Sequence, residues 1–194
     1  TGTADNPGVT LQSGAADYAE WLPKRDANEE LAAGDIVGVT GGQVSKKTTG
    51  AAQMMVISSA PLILGNMPSR SARADFEKAA FMGQVPVRVL GPVAVGDYIL
   101  PSGQQDGTGV AIAPQAMQLQ QYAQIVGVAW ESSAQAEEKR INTAIGLNQQ
   151  DLLRVITEQQ ATLDRLQADM DMIKKQLGLA PQATTSPSLS QDRD

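Results

Sequence analysis

The sequence predicts a mainly β head, a barrel or sandwich of short strands, followed by a long C-terminal α-helix that forms a parallel coiled coil. Three observations carry this prediction. Short apolar runs recur between about residues 35 and 130, bounded by Gly, Pro, Asn or Asp, which is the pattern of strands broken by turns. The runs do not alternate with helical stretches, which argues against a doubly wound parallel sheet. Beyond them, a 3-4 apolar spacing is sustained from residue 145 to residue 177.

In chain order, residues 1–16 (TGTADNPGVTLQSGAA) are small, polar and turn-rich. They read as an extended lead-in that pairing with a neighbouring subunit would order. The head is expected over 17–131, with strands at 35–40 (DIVGVT), 54–58 (MMVIS), 85–90 (VPVRVL), 98–100, 110–113 and 125–130 (IVGVAW). An internal echo supports the reading: LAAGDIVGV at 31–39 and VAVGDYIL at 93–100 both set Gly-Asp directly before an apolar strand. Gly34 and Gly96 can take a positive φ at no steric cost, and Asp35 and Asp97 can accept bonds from nearby backbone N–H groups, making a tight turn that launches a strand. Residues 68–77 (PSRSARADFE) read as a surface loop or short helix. The Gly-rich stretch at 102–109 (SGQQDGTG) lacks the Gly-Lys-Ser/Thr ending of a phosphate loop, and no strong helix follows it. A hairpin loop is the better reading.

Residues 132–140 (SSAQAEEKR) shift toward helix formers and are expected to connect the head to a helix over 141–178. With position a at Gln149, Ile156, Leu163, Met170 and Leu177, position d falls on Ile145, Leu152, Gln159, Leu166 and Ile173; eight of these ten are apolar. About four heptads is enough to support a coiled coil. Positions b, c, e and g are mostly Gln, Asp, Thr, Glu and Lys, so the stripe is narrow, and Leu153 and Val155 widen it only at the start. A helix packed on its own head is the lesser alternative, because that arrangement wants a wider stripe. The seam therefore calls for partner helices, making the chain a homo-oligomer. Mixed Ile, Leu and Met at a and d suit two or three strands, with three preferred, and Gln149 and Gln159 would fix register at some cost in stability. Residues 179–194, rich in Pro, Ser and Thr, are expected to be disordered.

Composition narrows the function. The net charge of −6 comes without a basic block, so the electrostatic footprint of a nucleic-acid partner is missing. The chain has no Cys and no His, which removes thiolate nucleophiles, Ser-His-Asp and Cys-His catalysis and most transition-metal sites. Neither a cofactor nor a metal is expected. No apolar run approaches the ~20 residues that cross a bilayer, and no secretory signal opens the chain, so a membrane partner is not expected. Opening on Thr1 rather than Met fits a processed product or a fragment.

The remaining chemistry centres on Asp17-Tyr18-Ala19-Glu20-Trp21. In a strand, Asp17 and Glu20 face opposite sides; in a helical turn or bend they share one face. A shared apolar pocket would split their pKa values, leaving one as base and the other as acid, and such a pair can activate water without His. The plainer reading makes Asp17 a helix N-cap and leaves Glu20 solvated.

This motif, with LAAGDIV at 31–37, VISSAPLILGN at 56–66, GQVPVRV at 83–89, VGDYILPS at 95–102 and IVGVA at 125–129, resembles the C-terminal domain of phage tailspike and neck-appendage proteins. That family is the self-cleaving intramolecular-chaperone group classed with glutamic peptidases. The resemblance covers roughly residues 13–130. It implies a β-rich trimeric domain that helps assemble an elongated fibre upstream in the same gene product, located in a virion tail or extracellular fibre. In some members one autoproteolytic cut just upstream releases the domain. Asp17 and Glu20 would be the catalytic carboxylates, with Tyr18 and Trp21 shaping the pocket. A permanently attached structural cap that never cuts, in which the lead-in strand at 9–12 joins a neighbour's sheet, is the competing expectation. A carbohydrate-binding tip is a weaker one, since two Trp and three Tyr offer few stacking platforms.

Overall fold

The computed structural model describes residues 10–11, 16–146 and 149–177. They form eleven strands and one α-helix: β1 (Thr10–Leu11), β2 (Asp17–Pro23), β3 (Ile36–Thr40), β4 (Gln43–Ser45), β5 (Gln53–Ile57), β6 (Ile63–Gly65), β7 (Phe76–Leu90), β8 (Tyr98–Pro101), β9 (Gly109–Ile112), β10 (Gly127–Ala129), β11 (Lys139–Ile145) and α1 (Gln149–Gln176). Between a barrel and a sandwich, the head is the barrel.

The 15-residue β7 organises the head. Its C-terminal half pairs antiparallel with β11 and parallel with β9, and the path β7-β11-β10-β8-β9 returns to β7 as a closed five-stranded barrel. Its N-terminal half lies between β2 and β5. From there β5 pairs with β3, β3 with β4, and β4 touches the end of β2 through the Lys24–Val44 bridge. Strand alternation divides the apolar residues between two cores. Ile36, Val56, Ala80, Val87, Ile99 and Ile141 face one, while their neighbours Val37, Ile57 and Ala79 join Val44 in the other. Pro86, which cannot donate to a ladder, lies between the stretches of β7 that pair with β5 and β9, with a strand partner only in β11.

Both Gly-Asp turns form as expected. Gly34 and Gly96 adopt φ of +88° and +91°, and Asp35 and Asp97 accept bonds from the N–H groups of Ala32 and Ala94, both at 2.8 Å. The first turn has a further role. Asp35 is completely buried, and its carboxylate is met by Arg88 Nη1 and, at 3.2 Å, by Lys46 Nζ. Arg88 also holds Glu138 through two bonds of 2.8 Å. Donation from Glu138's partner Arg88 keeps the Glu138 carboxyl below its ordinary range. The same contacts raise the guanidinium's pKa further. Backbone bonds from Arg88 N to Gly34 O and from Ile36 N to Gly107 O complete the junction.

Two boundaries are corrected. The stretch at 132–140 does not lead into a helix: Lys139–Ile145 is β11, paired with β7 over seven residues, and Gly146 turns the chain at φ +80°. The head thus runs to Gly146 rather than 131, and α1 starts at Gln149 rather than 141. Ile145, assigned to a d position, is instead buried in the barrel core. The 68–77 stretch holds a 3₁₀ helix at Arg70–Asp75 before β7 begins, and 102–109 links β8 to β9 as a hairpin. Of the lead-in, Thr10–Leu11 pairs antiparallel with β6 of its own chain. The expected disorder of 179–194 falls outside the described residues.

Among the described residues, removing Arg88 leaves Lys46 as the one cation paired with the buried Asp35. Arg88→Met is expected to lower unfolding free energy by roughly 3 kcal/mol in urea titration, and the double variant Asp35→Asn/Arg88→Met recovers more than half of that loss. A single-variant cost under ~1 kcal/mol would mean the network is peripheral.

Candidate functional site

Two surfaces carry the predicted functional residues, the start of β2 and the seam of α1. Asp17 opens β2 directly opposite Gly83 of β7. The strands cross closely there: Gly83 sits at φ +112°, and a Cβ on it would come within 2.7 Å of the Asp17 Cα and 2.2 Å of the Ala16 carbonyl oxygen. Only glycine permits this approach. It delivers the Asp17 side chain to the interior, where 5% of the residue remains exposed.

Burial pushes the Asp17 carboxyl above its ordinary value, opposed by a bond from the Ser58 side chain, by backbone donation and by the charge of Lys78. Ser58 is itself buried and donates its N–H to the Lys78 carbonyl at 2.8 Å. The second carboxyl oxygen, Oδ2, is buried with no protein hydrogen-bond partner, and so is Nε1 of Trp21 on the same strand. Asp17 lies in a strand and is not the N-cap of a helix, and its buried, unpaired oxygen costs free energy.

Glu20 lies on the opposite face. β2 is regular strand, with Asp17 and Ala19 buried and Tyr18 and Glu20 exposed. The bulge between Tyr18 and Ala19 places its extra residue, Phe81, on β7, so the alternation of β2 is undisturbed. Glu20 extends over Gly65 of β6. Asp17 and Glu20 therefore do not converge within one chain. Trp21 is half-buried beside the core behind Asp17, whereas Tyr18 points outward with Glu20, so the two aromatics do not share a pocket either. Sequence reasoning missed Ser58 and Lys78, the actual surroundings of Asp17. They arrive through β5 and β7, and no local spacing announces such contacts.

The hairpin at 102–109 is internally satisfied. Asp106 accepts from Ser102 Oγ, Thr108 N and Thr108 Oγ1 at 2.9, 2.9 and 2.7 Å. Burial pushes this carboxyl up, but those donors outweigh it and hold it below its ordinary value. The arrangement is that of a turn. A cleft of about 190 Å³ lined by Met54, Met55, Phe81 and Ile125 is below the ~300 Å³ lower end of metabolite pockets. Among the described residues, no group of three or more acidic side chains is placed to hold a metal ion. No described helix is long and apolar enough to cross a membrane.

The second surface is α1. Leu163, Leu166, Met170, Ile173 and Leu177, five successive a and d residues, are each more than half exposed in the chain. Their heptad spacing collects them on one side of the helix. Lys174 and Lys175 occupy its last turn, where positive charge complements the helix dipole.

Comparison with family models, with curated proteins and with solved structures finds no significant match to this chain in any of the three.

The Asp17 geometry gives a signed expectation. A carboxyl whose pKa is raised by folding contributes stability that is complete below its ordinary value near 3.8 and is lost as pH rises through the folded value. Ionised Asp17 therefore works against the fold at neutral pH. Asp17→Asn should raise the melting temperature at pH 7 by roughly a few degrees, with the difference closing toward pH 3. A lower melting temperature for the variant at pH 7 would contradict the burial argument.

Proposed function

We propose that this chain is the C-terminal trimerisation and assembly domain, an intramolecular chaperone, of a phage tailspike or fibre-like protein that works in a virion tail or extracellular fibre. The observation that carries this reading is the exposed apolar seam of α1, running from Leu163 to Leu177. Isolated helices gain little from propensity and depend on packing an apolar face. A seam this narrow is suited to other copies of the same helix.

Association through α1 raises the local concentration of three chains and brings three heads, and whatever precedes them, to one place. An intermolecular search among upstream fibre strands then becomes an intramolecular one, which favours the slow, non-local strand pairing of a fibre. The partners are thus copies of this chain and the upstream part of the same gene product.

A second reading, the permanently attached structural cap, is favoured by the placement of the carboxylates on opposite faces of β2. Within one chain Asp17 and Glu20 form no acid-base pair, so a cut using both groups would take Asp17 from one chain and Glu20 from another. In that event one serves as general base and the other as acid.

Two measurements test these readings. Leu163→Asp/Leu166→Asp should convert the oligomer to monomer in light scattering with the head's β-sheet circular dichroism retained; an oligomer that persists removes α1 from the argument. Intact masses of the complete gene product are then compared for wild type, Glu20→Gln and Asp17→Asn. A cut upstream of the head that disappears in both variants assigns self-processing, and uncut chains in all three assign the cap.

A further inference from the structure

Resting on the assembly reading above, we infer that the occupants of the α1 seam are copies of this chain aligned parallel and in register, and that contact between Asp169 of one helix and Lys174 of its neighbour fixes this alignment. The positions flanking a heptad seam are e and g, and their charges set partner choice and orientation. Over the four heptads of Gln149–Gln176, six of the eight flanking positions are uncharged; the charged pair is Asp169 at g and Lys174 at e. The other charges of the helix, such as Asp164 and Arg165, occupy b, c and f, away from the seam.

The spacing of this pair decides between alignments. In a parallel, in-register bundle each g residue meets the e residue five positions later on its neighbour, so Asp169 meets Lys174. In an antiparallel bundle g faces g and e faces e. Asp169 then meets an uncharged residue or a second Asp169, and Lys174 meets an uncharged residue or a second Lys174, whatever the offset. A parallel bundle slipped by one heptad also leaves both without an opposite charge. Slippage further sets the amide of Gln159, at a d position, against Leu152 or Leu166; in register the Gln159 side chains share one layer and can bond each other. Only one alignment satisfies both conditions.

Among the described residues, no ion pair within the chain replaces this contact. Residues five apart are roughly 140° apart around a helix, so Asp169 and Lys174 of one chain do not meet. The intrachain neighbour of Lys174 is Asp171, whose Oδ1 lies 4.0 Å away with both side chains exposed. Such a pair is worth little and leaves the ammonium able to reach across the seam.

The test uses the whole chain, which has no cysteine of its own. Gln149→Cys and Leu177→Cys chains, whose thiols lie at opposite ends of a helix roughly 42 Å long, are mixed in glutathione redox buffer. Parallel register gives 149–149 and 177–177 disulfides in about tenfold or greater excess over 149–177, since the mismatched pair would strain or break the bundle. A dominant 149–177 disulfide overturns the alignment. In the cysteine-free chain, Asp169→Lys and Lys174→Asp should each weaken association by about two- to fivefold per contact, and the double charge swap should restore most of it. A double variant as weak as the two single effects multiplied together overturns the Asp169–Lys174 contact while leaving the assembly reading standing. Chains that stay monomeric before any substitution overturn both.

Discussion

The head depends on one strand being long enough to serve two halves of the molecule. β7 pairs with β2 and β5 along its first half and with β11 and β9 along its second. Where the pairing of β5 ends and that of β9 has not begun, the gap is filled by the Gly34–Asp35 turn. Gly34 lies so close that a Cβ would come within 2.8 Å of the Pro86 carbonyl oxygen. Asp35 brings a charge into the interior that only the cations around it make tolerable. Arg88, projecting from β7, neutralises that charge and at the same time holds Glu138, just ahead of β11. The closed barrel and the second core are thus joined at one charged junction on one strand.

The head and α1 differ in how much apolar surface each buries within one chain. The head buries two apolar cores and a third cluster formed by Tyr98, Leu100 and Ile125 within a single chain. The described part of α1 keeps its largest apolar residues exposed, and under the proposed assembly association would cover them. In that proposal the head folds within each chain, while order in the helix depends on chain concentration. Such a separation would suit the proposed assembly role, because three folded heads could be gathered without rearranging their cores.

Much of the head was legible because its strands carry their own punctuation. The Gly-Asp turns before β3 and β8 require a positive φ and an acceptor side chain, and both requirements are written in adjacent residues. The hairpin after β8 announced itself through Ser102, Asp106 and its glycines. What was not legible depended on distant pairing. Residues 132–140 have helical composition, yet the strand that follows is fixed by the β7 ladder; tertiary context overrode propensity. The first half of β7, with Ala79, Ala80 and a bulge at Phe81, lacks the β-branched signature of its second half. At the candidate site, the residue types of β2 left open whether Asp17 and Glu20 share a face. Its strand conformation separates them, and Ser58 and Lys78 reach Asp17 from residues far away in sequence.

Sedimentation equilibrium of the intact chain over a wide concentration range tests the account most directly. Assembly through α1 predicts a species of three times the 20.4 kDa chain mass that dissociates toward single chains on dilution. A mass of 20.4 kDa at every concentration would contradict it, because the exposed seam would then have no partner in its own kind.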